Sequence, residues 1–275
     1  MGASHIAAIL EACGAEGQAQ QGPGFIKGLA PAFREWAVDE AKLPDRLMVS
    51  SVYVGHTAPY WGPVLATEIS TGVLGIAPGF QALLTAANDD ERCTTLFVTM
   101  RGEEYYHSSL VGVSDPFDFL LPERPDLILV PGRTVIALDV IQDQLSRHLK
   151  RTVLELQAIR LFCPRLRIVR IIPPPPSSSE AVRQWTTAQQ TAEHATQQLP
   201  TSVRLKLWLL YADMLEKSTV GLGLDTLPVP AEATHELGTL RYEYMGDFIH
   251  GNAAYGALVC RQISALVSPT MESSS

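Results

Sequence analysis

The sequence predicts an α/β fold, a doubly wound, mostly parallel sheet sandwiched by helices. Two observations predict it. Short apolar, β-branched runs alternate along the chain with long stretches of helical periodicity, and the runs end in turn signals at Gly55, Gly102 and Pro173. The chain has 275 residues, 46% of them hydrophobic and 18% charged, which is enough apolar material for one large domain.

Residues 4–20 and 25–41 read as two short helices separated by Gly22-Pro23-Gly24, and they form a helical extension over 1–45. The α/β domain then spans 46–267. Its first strand is Leu47–Val54, which stops at Gly55-His56-Thr57 before a helical stretch from Tyr60 to Ile69. A second strand, Thr94–Met100, stops at Arg101-Gly102-Glu103. Four prolines from Pro116 to Pro131 make the next segment irregular, and a long helix begins near Thr134. In that helix Leu138, Ile141, Leu145, Leu149, Val153, Leu156 and Ile159 recur at three- and four-residue steps, with Asp139, Asp143, Arg147 and Lys150 between them.

Leu166–Ile172 is a third strand, ended by Pro173–Pro176 because proline cannot continue a ladder. The proline run reads as a stiff loop exit in preference to a docking ligand. Helices follow over Ala181–Gln198 and Val203–Leu215, then a short strand near Leu227 and a last helix over Asn252–Leu266. Residues 268–275 form a polar tail of disordered composition. In doubly wound sheets ligands bind beyond the carboxyl ends of the strands. The residues to inspect are therefore Thr57, Glu103, the proline run and the loop before the last helix.

Composition narrows the function. A formal net charge of −8 with no basic run argues against a nucleic-acid partner. The four cysteines, Cys13, Cys93, Cys163 and Cys260, include no CxxC pair, so they read as buried free thiols with neither a zinc site nor a disulfide framework. Glu104 and His107 stand at i, i+3, but no third or fourth ligand has metal-like spacing, so no metal and no cofactor is expected. Ile6–Leu10 is short, lacks a basic flank and meets Glu11, and the run Leu205–Leu215 is broken by Lys206 and Asp213. The expectation is a cytoplasmic protein without a membrane span.

The loop before the last helix reads Gly246-Asp247-Phe248-Ile249-His250-Gly251-Asn252. Its i, i+3 spacing can set the Asp247 carboxylate beside the His250 imidazole, fixing the tautomer and leaving the other ring nitrogen as a general base. The same spacing also suits a histidine that only hydrogen-bonds at a helix start. Near the first strand, His56, Tyr60 and Trp61 could line a sugar-binding mouth, or the two aromatics could pack on the core.

These blocks together resemble the SGNH, or GDSL-like, hydrolase superfamily, in particular its bacterial branch associated with polysaccharide genes. The resemblance rests on Val54-Gly55-His56-Thr57, Gly102-Glu103, the segment Asp115–Pro122, the strand entering Pro173–Pro176, and Asp247-x-x-His250-x-Asn252-x-x-Tyr255-Gly256, in the family's order. It implies a flavodoxin-like three-layer domain over residues 47–266. By position it implies Thr57 at the nucleophile site, His250 as base and Asp247 as its orienter. It also implies Gly55, His56, Gly102, Glu103 and Asn252 as oxyanion or substrate-lining residues, with Gly72, Gly75 and Gly79 as candidates for the family's second-block glycine.

Two positions depart from the family. Threonine in place of serine keeps the hydroxyl but adds a methyl that stiffens χ1 and crowds attack. Glu103 stands where the family has an asparagine, and an ionised carboxylate repels the charge an oxyanion hole must stabilise. Arg101, Glu104 and His107 are neighbouring candidates for lining the site, and a plain polar loop is the simpler account of residues 103–106. The resemblance therefore implies an ester hydrolase or O-acyltransferase acting on an acylated carbohydrate or small ester. The alternative is a non-catalytic subunit working with exopolysaccharide-synthesis proteins.

Overall fold

The structure, a computed structural model, describes residues 8–9, 12, 33–36, 51–54, 65–67, 74–76, 78–91, 93–99, 117–188, 199–247 and 249–267. Its strands are β1 Phe33–Trp36, β2 Ser51–Val54, β3 Leu65–Thr67, β4 Leu74–Ile76, β5 Thr95–Val98, β6 Phe117–Asp118, β7 Thr134–Val135, β8 Arg167–Ile171 and β9 Asp225–Leu227. Its helices are α1 Pro78–Asp89, α2 Leu138–Phe162, α3 Ser179–Ala188, α4 Thr201–Thr219 and α5 Ala253–Val267, and three single 3₁₀ turns follow α4.

The centre is a parallel sheet of order β5-β8-β9. Leu96 lies opposite Ile168 and Phe97 opposite Val169, while Arg170 lies opposite Thr226 and Ile171 opposite Leu227. Successive side chains of a strand point to opposite faces, and this alternation sorts the core into two clusters. Leu96, Val98 and Ile168 pack with Phe80 and Leu84 of α1, Ile141, Leu145, Leu156 and Ile159 of α2, and Val203, Leu207 and Leu210 of α4. Phe97, Val169, Ile171 and Leu227 pack instead with Ala181 and Val182 of α3 and with Tyr255, Leu258 and Val259 of α5. The fold is α/β, with helices on both faces of a parallel sheet.

The long helix carries the periodicity the sequence predicts. Ile141, Leu145, Leu149, Leu156 and Ile159 are buried, Asp139 lies in its first turn and Arg160 in its last, each at the end where its charge suits the helix dipole. It stops at Cys163-Pro164 because proline has no N–H to continue the ladder. The helix begins at Leu138 rather than near Thr134. Thr134 and Val135 are instead spent on a parallel pairing with Phe117 and Asp118, reinforced by the Ile136 amide donating to the Asp118 carbonyl at 2.9 Å.

Three other readings change. The helix read over 25–41 contains β1, which pairs antiparallel with β2 from Phe33↔Val54 to Trp36↔Ser51. The helix read over 60–69 contains β3, paired with β4. In both cases a β-branched or apolar partner strand nearby in sequence overrides the local pattern. The third difference is α1, a helix over a stretch where the sequence analysis marks none. Proline suits the first helical position, and Phe80 and Leu84 form its buried face.

In the first half of α4 Val203 to Trp208 are buried without a break, so the helix shows little amphipathic patterning. Within it Lys206 is fully buried and forms an ion pair with fully buried Asp118 at 2.8 Å. The Lys206 ammonium also donates to the carbonyls of Phe119 at 2.9 Å and Ile128 at 3.2 Å, matching three donors to three acceptors. Asp118 in turn accepts the amides of Phe119 and Val130 at 2.7 and 2.8 Å. The proline-punctuated stretch from Asp118 to Pro131 is thus pinned to α4 by one charge pair rather than by regular structure.

Candidate active site at the loop before the last helix

Chain leaving the carboxyl end of β8 runs through four buried prolines to buried Ser177. Proline has no backbone N–H to leave unsatisfied, so a buried extended run needs partners only for its carbonyls. Pro173 accepts the Trp208 indole N–H at 3.2 Å and Pro176 accepts the Leu240 amide at 3.1 Å. The burial of the run fits a stiff exit from the strand. Its pairing with Leu240 brings the segment after β9 alongside, and that segment leads into the Asp-His loop.

The loop is a tight closed turn. Met245 and Gly251 form an antiparallel bridge across it, and the His250 carbonyl accepts the amides of Gly246 at 2.8 Å and Asp247 at 3.3 Å. Both flanking glycines are needed for close approach. A Cβ on Gly246 would come within 2.9 Å of the Gly251 carbonyl oxygen, and one on Gly251 would run into the Tyr255 side chain.

Inside this turn the two Asp247 oxygens divide their work. Oδ1 accepts the backbone amides of Ile249 at 2.9 Å and His250 at 2.8 Å, an Asx-type turn. Oδ2 lies 2.6 Å from His250 Nδ1. Burial pushes the Asp247 carboxyl up, but the His250 hydrogen bond and charge and the two backbone amides outweigh it and hold the group below the usual carboxylate range. An ionised carboxylate only accepts, so the proton of this bond sits on Nδ1 and the basic lone pair of a neutral ring sits on Nε2. The His250 side chain keeps 25% of its exposure and Asp247 37%, so the pair is partly open to solvent.

Asn252 has a different environment from that of a ligand-facing amide. Its Nδ2 donates to the carbonyls of Glu243 at 2.8 Å and Met245 at 3.3 Å. Its Oδ1 accepts the Tyr255 amide at 3.1 Å, capping α5. Gly55, His56, Thr57, Gly102 and Glu103 lie outside the described residues, as do Tyr60, Trp61, Arg101, Glu104 and His107. Val54, the residue before Gly55, ends β2, and Val98 ends β5 four residues before Gly102. Of the glycine candidates, Gly75 lies in β4 and Gly79 in the first turn of α1. Among the described residues no group of three or more His, Cys, Asp or Glu could hold a metal ion, and no helix is long and apolar enough to cross a membrane.

The i, i+3 spacing allows the Asp247–His250 contact, whereas the bonds that close the loop around it have no such direct mark in the sequence. The available signal was the pair of glycines bracketing the motif, which marks a turn too tight for side chains at either end.

No protein-family model matches the chain, and no curated protein matches it in sequence. Among solved structures it is similar to a "putative platelet activating factor" from Streptococcus pneumonia, at 12% identity and a TM-score of 0.31, over 60% of this chain and 90% of that one.

Proposed function

We propose that the chain is an SGNH-type ester hydrolase or O-acyltransferase, with its α/β domain over residues 46–267, acting on an acylated saccharide or a related small ester. The observation that carries this reading is the 2.6 Å contact between His250 Nδ1 and Asp247 Oδ2 in the loop opening the last helix. In the proposed reaction the Thr57 hydroxyl attacks the acyl carbonyl as His250 Nε2 takes its proton. Asp247 stabilises the imidazolium that forms, and the same proton then goes to the leaving alcohol. Water, or an acceptor hydroxyl in a transferase, repeats the sequence on the acyl-threonine ester and frees Thr57.

A second reading, a binding or scaffolding subunit of an exopolysaccharide system, is favoured by the threonine at 57 and the carboxylate at 103. Both changes weaken acyl chemistry while leaving the fold intact. Turnover of short-chain aryl esters and acetylated sugars separates the two. The enzyme reading expects a rate that falls at least about 100-fold in both Thr57→Val and His250→Ala, since removing the nucleophile or base of such a unit removes most of its catalysis. No turnover, or turnover indifferent to both substitutions, favours the subunit.

A further inference from the structure

Asn252 joins the two ends of the loop that carries Asp247 and His250. Its Nδ2 reaches back to the carbonyls of Glu243 and Met245 on the incoming arm, at 2.8 and 3.3 Å. Its backbone amide donates to the Tyr244 carbonyl at 3.0 Å, and its carbonyl accepts the Gly256 amide at 3.0 Å in the first turn of α5. Oδ1 caps the same helix through Tyr255. Two residues before it, His250 receives the amides of Gly246 and Asp247, the residues that follow that incoming arm.

We infer that Asn252 is a positioning residue that holds the incoming arm and α5 at the separation which keeps the Asp247 carboxylate on His250 Nδ1. The physical reason lies in the short path between them. Asp247 is two residues beyond Met245, and His250 two residues before Asn252. A contact of 2.6 Å between side chains on opposite arms therefore depends on how closely those arms are tied. Capping alone would need only Oδ1. The two Nδ2 bonds, which an aspartate or serine cannot make, are the ones that fix the arms.

The inference rests on the Asp247–His250 geometry and is independent of whether the protein turns over an ester. Aspartate and serine both cap helices, so Asn252→Asp and Asn252→Ser keep the cap and lose the tie. The test is the ¹⁵N spectrum of the His250 ring in wild type, Asp247→Asn and both Asn252 variants, with far-ultraviolet circular dichroism as the check on folding. The wild-type neutral ring is expected as the Nδ1–H tautomer with a slowly exchanging downfield proton, and Asp247→Asn is expected to lose both. Folded Asn252→Asp and Asn252→Ser should lose them too. A folded Asn252 variant that keeps the wild-type tautomer would overturn the inference. So would global unfolding of both, because the residue would then serve the whole fold and not this contact. Ester turnover that fails in wild type while the tautomer pattern holds would count against the proposed function alone.

Discussion

Asp247 answers three donors with two oxygens, and that makes it the residue whose removal is most informative. Its substitution by alanine leaves the Ile249 and His250 amides and the imidazole Nδ1 without their acceptor, in a loop only partly open to water. The expected loss of stability is about 1 to 3 kcal/mol, measured by urea denaturation at pH 7. The effect should depend on pH in one direction. Because the folded-state carboxyl lies below its ordinary value, its contribution is present above the usual carboxylate range and is lost as pH falls through the lowered value. The difference between wild type and Asp247→Ala should therefore narrow as pH falls below about pH 4. A difference that failed to narrow below about pH 4 would contradict the assignment.

Cys163 gives a second expectation at the same scale. Its thiol is fully buried, contacts the Leu84 carbonyl at 3.4 Å, and burial together with Cys93 pushes it up to about 11. At pH 8 it should resist a maleimide in the native protein and react only on unfolding, as mass spectrometry of the labelled peptide would record. Its burial as a free thiol was legible from the scattered cysteine spacing. The duty of Asn252 was not, because an asparagine before a helix signals a cap without revealing what its amide nitrogen reaches.

Among the elements, α4 and the irregular stretch beside it show where sequence patterning runs out. Lys206 looks like an interruption of an apolar run, which it would be if its face were solvated. It is instead the centre of the contact between α4 and residues 118–128, with every donor used. Replacing it by methionine leaves Asp118 charged and buried, at a cost of about 3 to 5 kcal/mol. Combining Lys206→Met with Asp118→Asn should recover part of that loss, since the neutral amide oxygen can still accept a backbone amide. Denaturation midpoints of the three variants check this, and a double variant no better than the single would contradict the pairing. The long helix α2 was readable because one of its faces meets solvent and the other the core. The strands β1 and β3 were not, since each is fixed by a partner strand and not by its own few residues.

For the whole molecule, the parallel sheet and its two helical faces were predictable because alternation along β5, β8 and β9 sends apolar residues to both sides. Helix α5 shows how tightly the outer layer is packed. A Cβ on Gly256 would run into the Ala8 carbonyl, and Ile9 is buried in the same cluster, so Ala8 and Ile9 seat against the helix that follows the Asp-His loop. The catalytic proposal adds one demand on this framework, that Thr57 and Glu103 complete what Asp247 and His250 begin. Repairing both departures at once tests that demand most directly. On an activated aryl ester, Thr57→Ser with Glu103→Asn should gain at least about 100-fold over wild type, the worth of one oxyanion donor, and lose the gain when His250→Ala is added. A repaired protein with no gain, or with a gain that survives the loss of His250, would contradict the account.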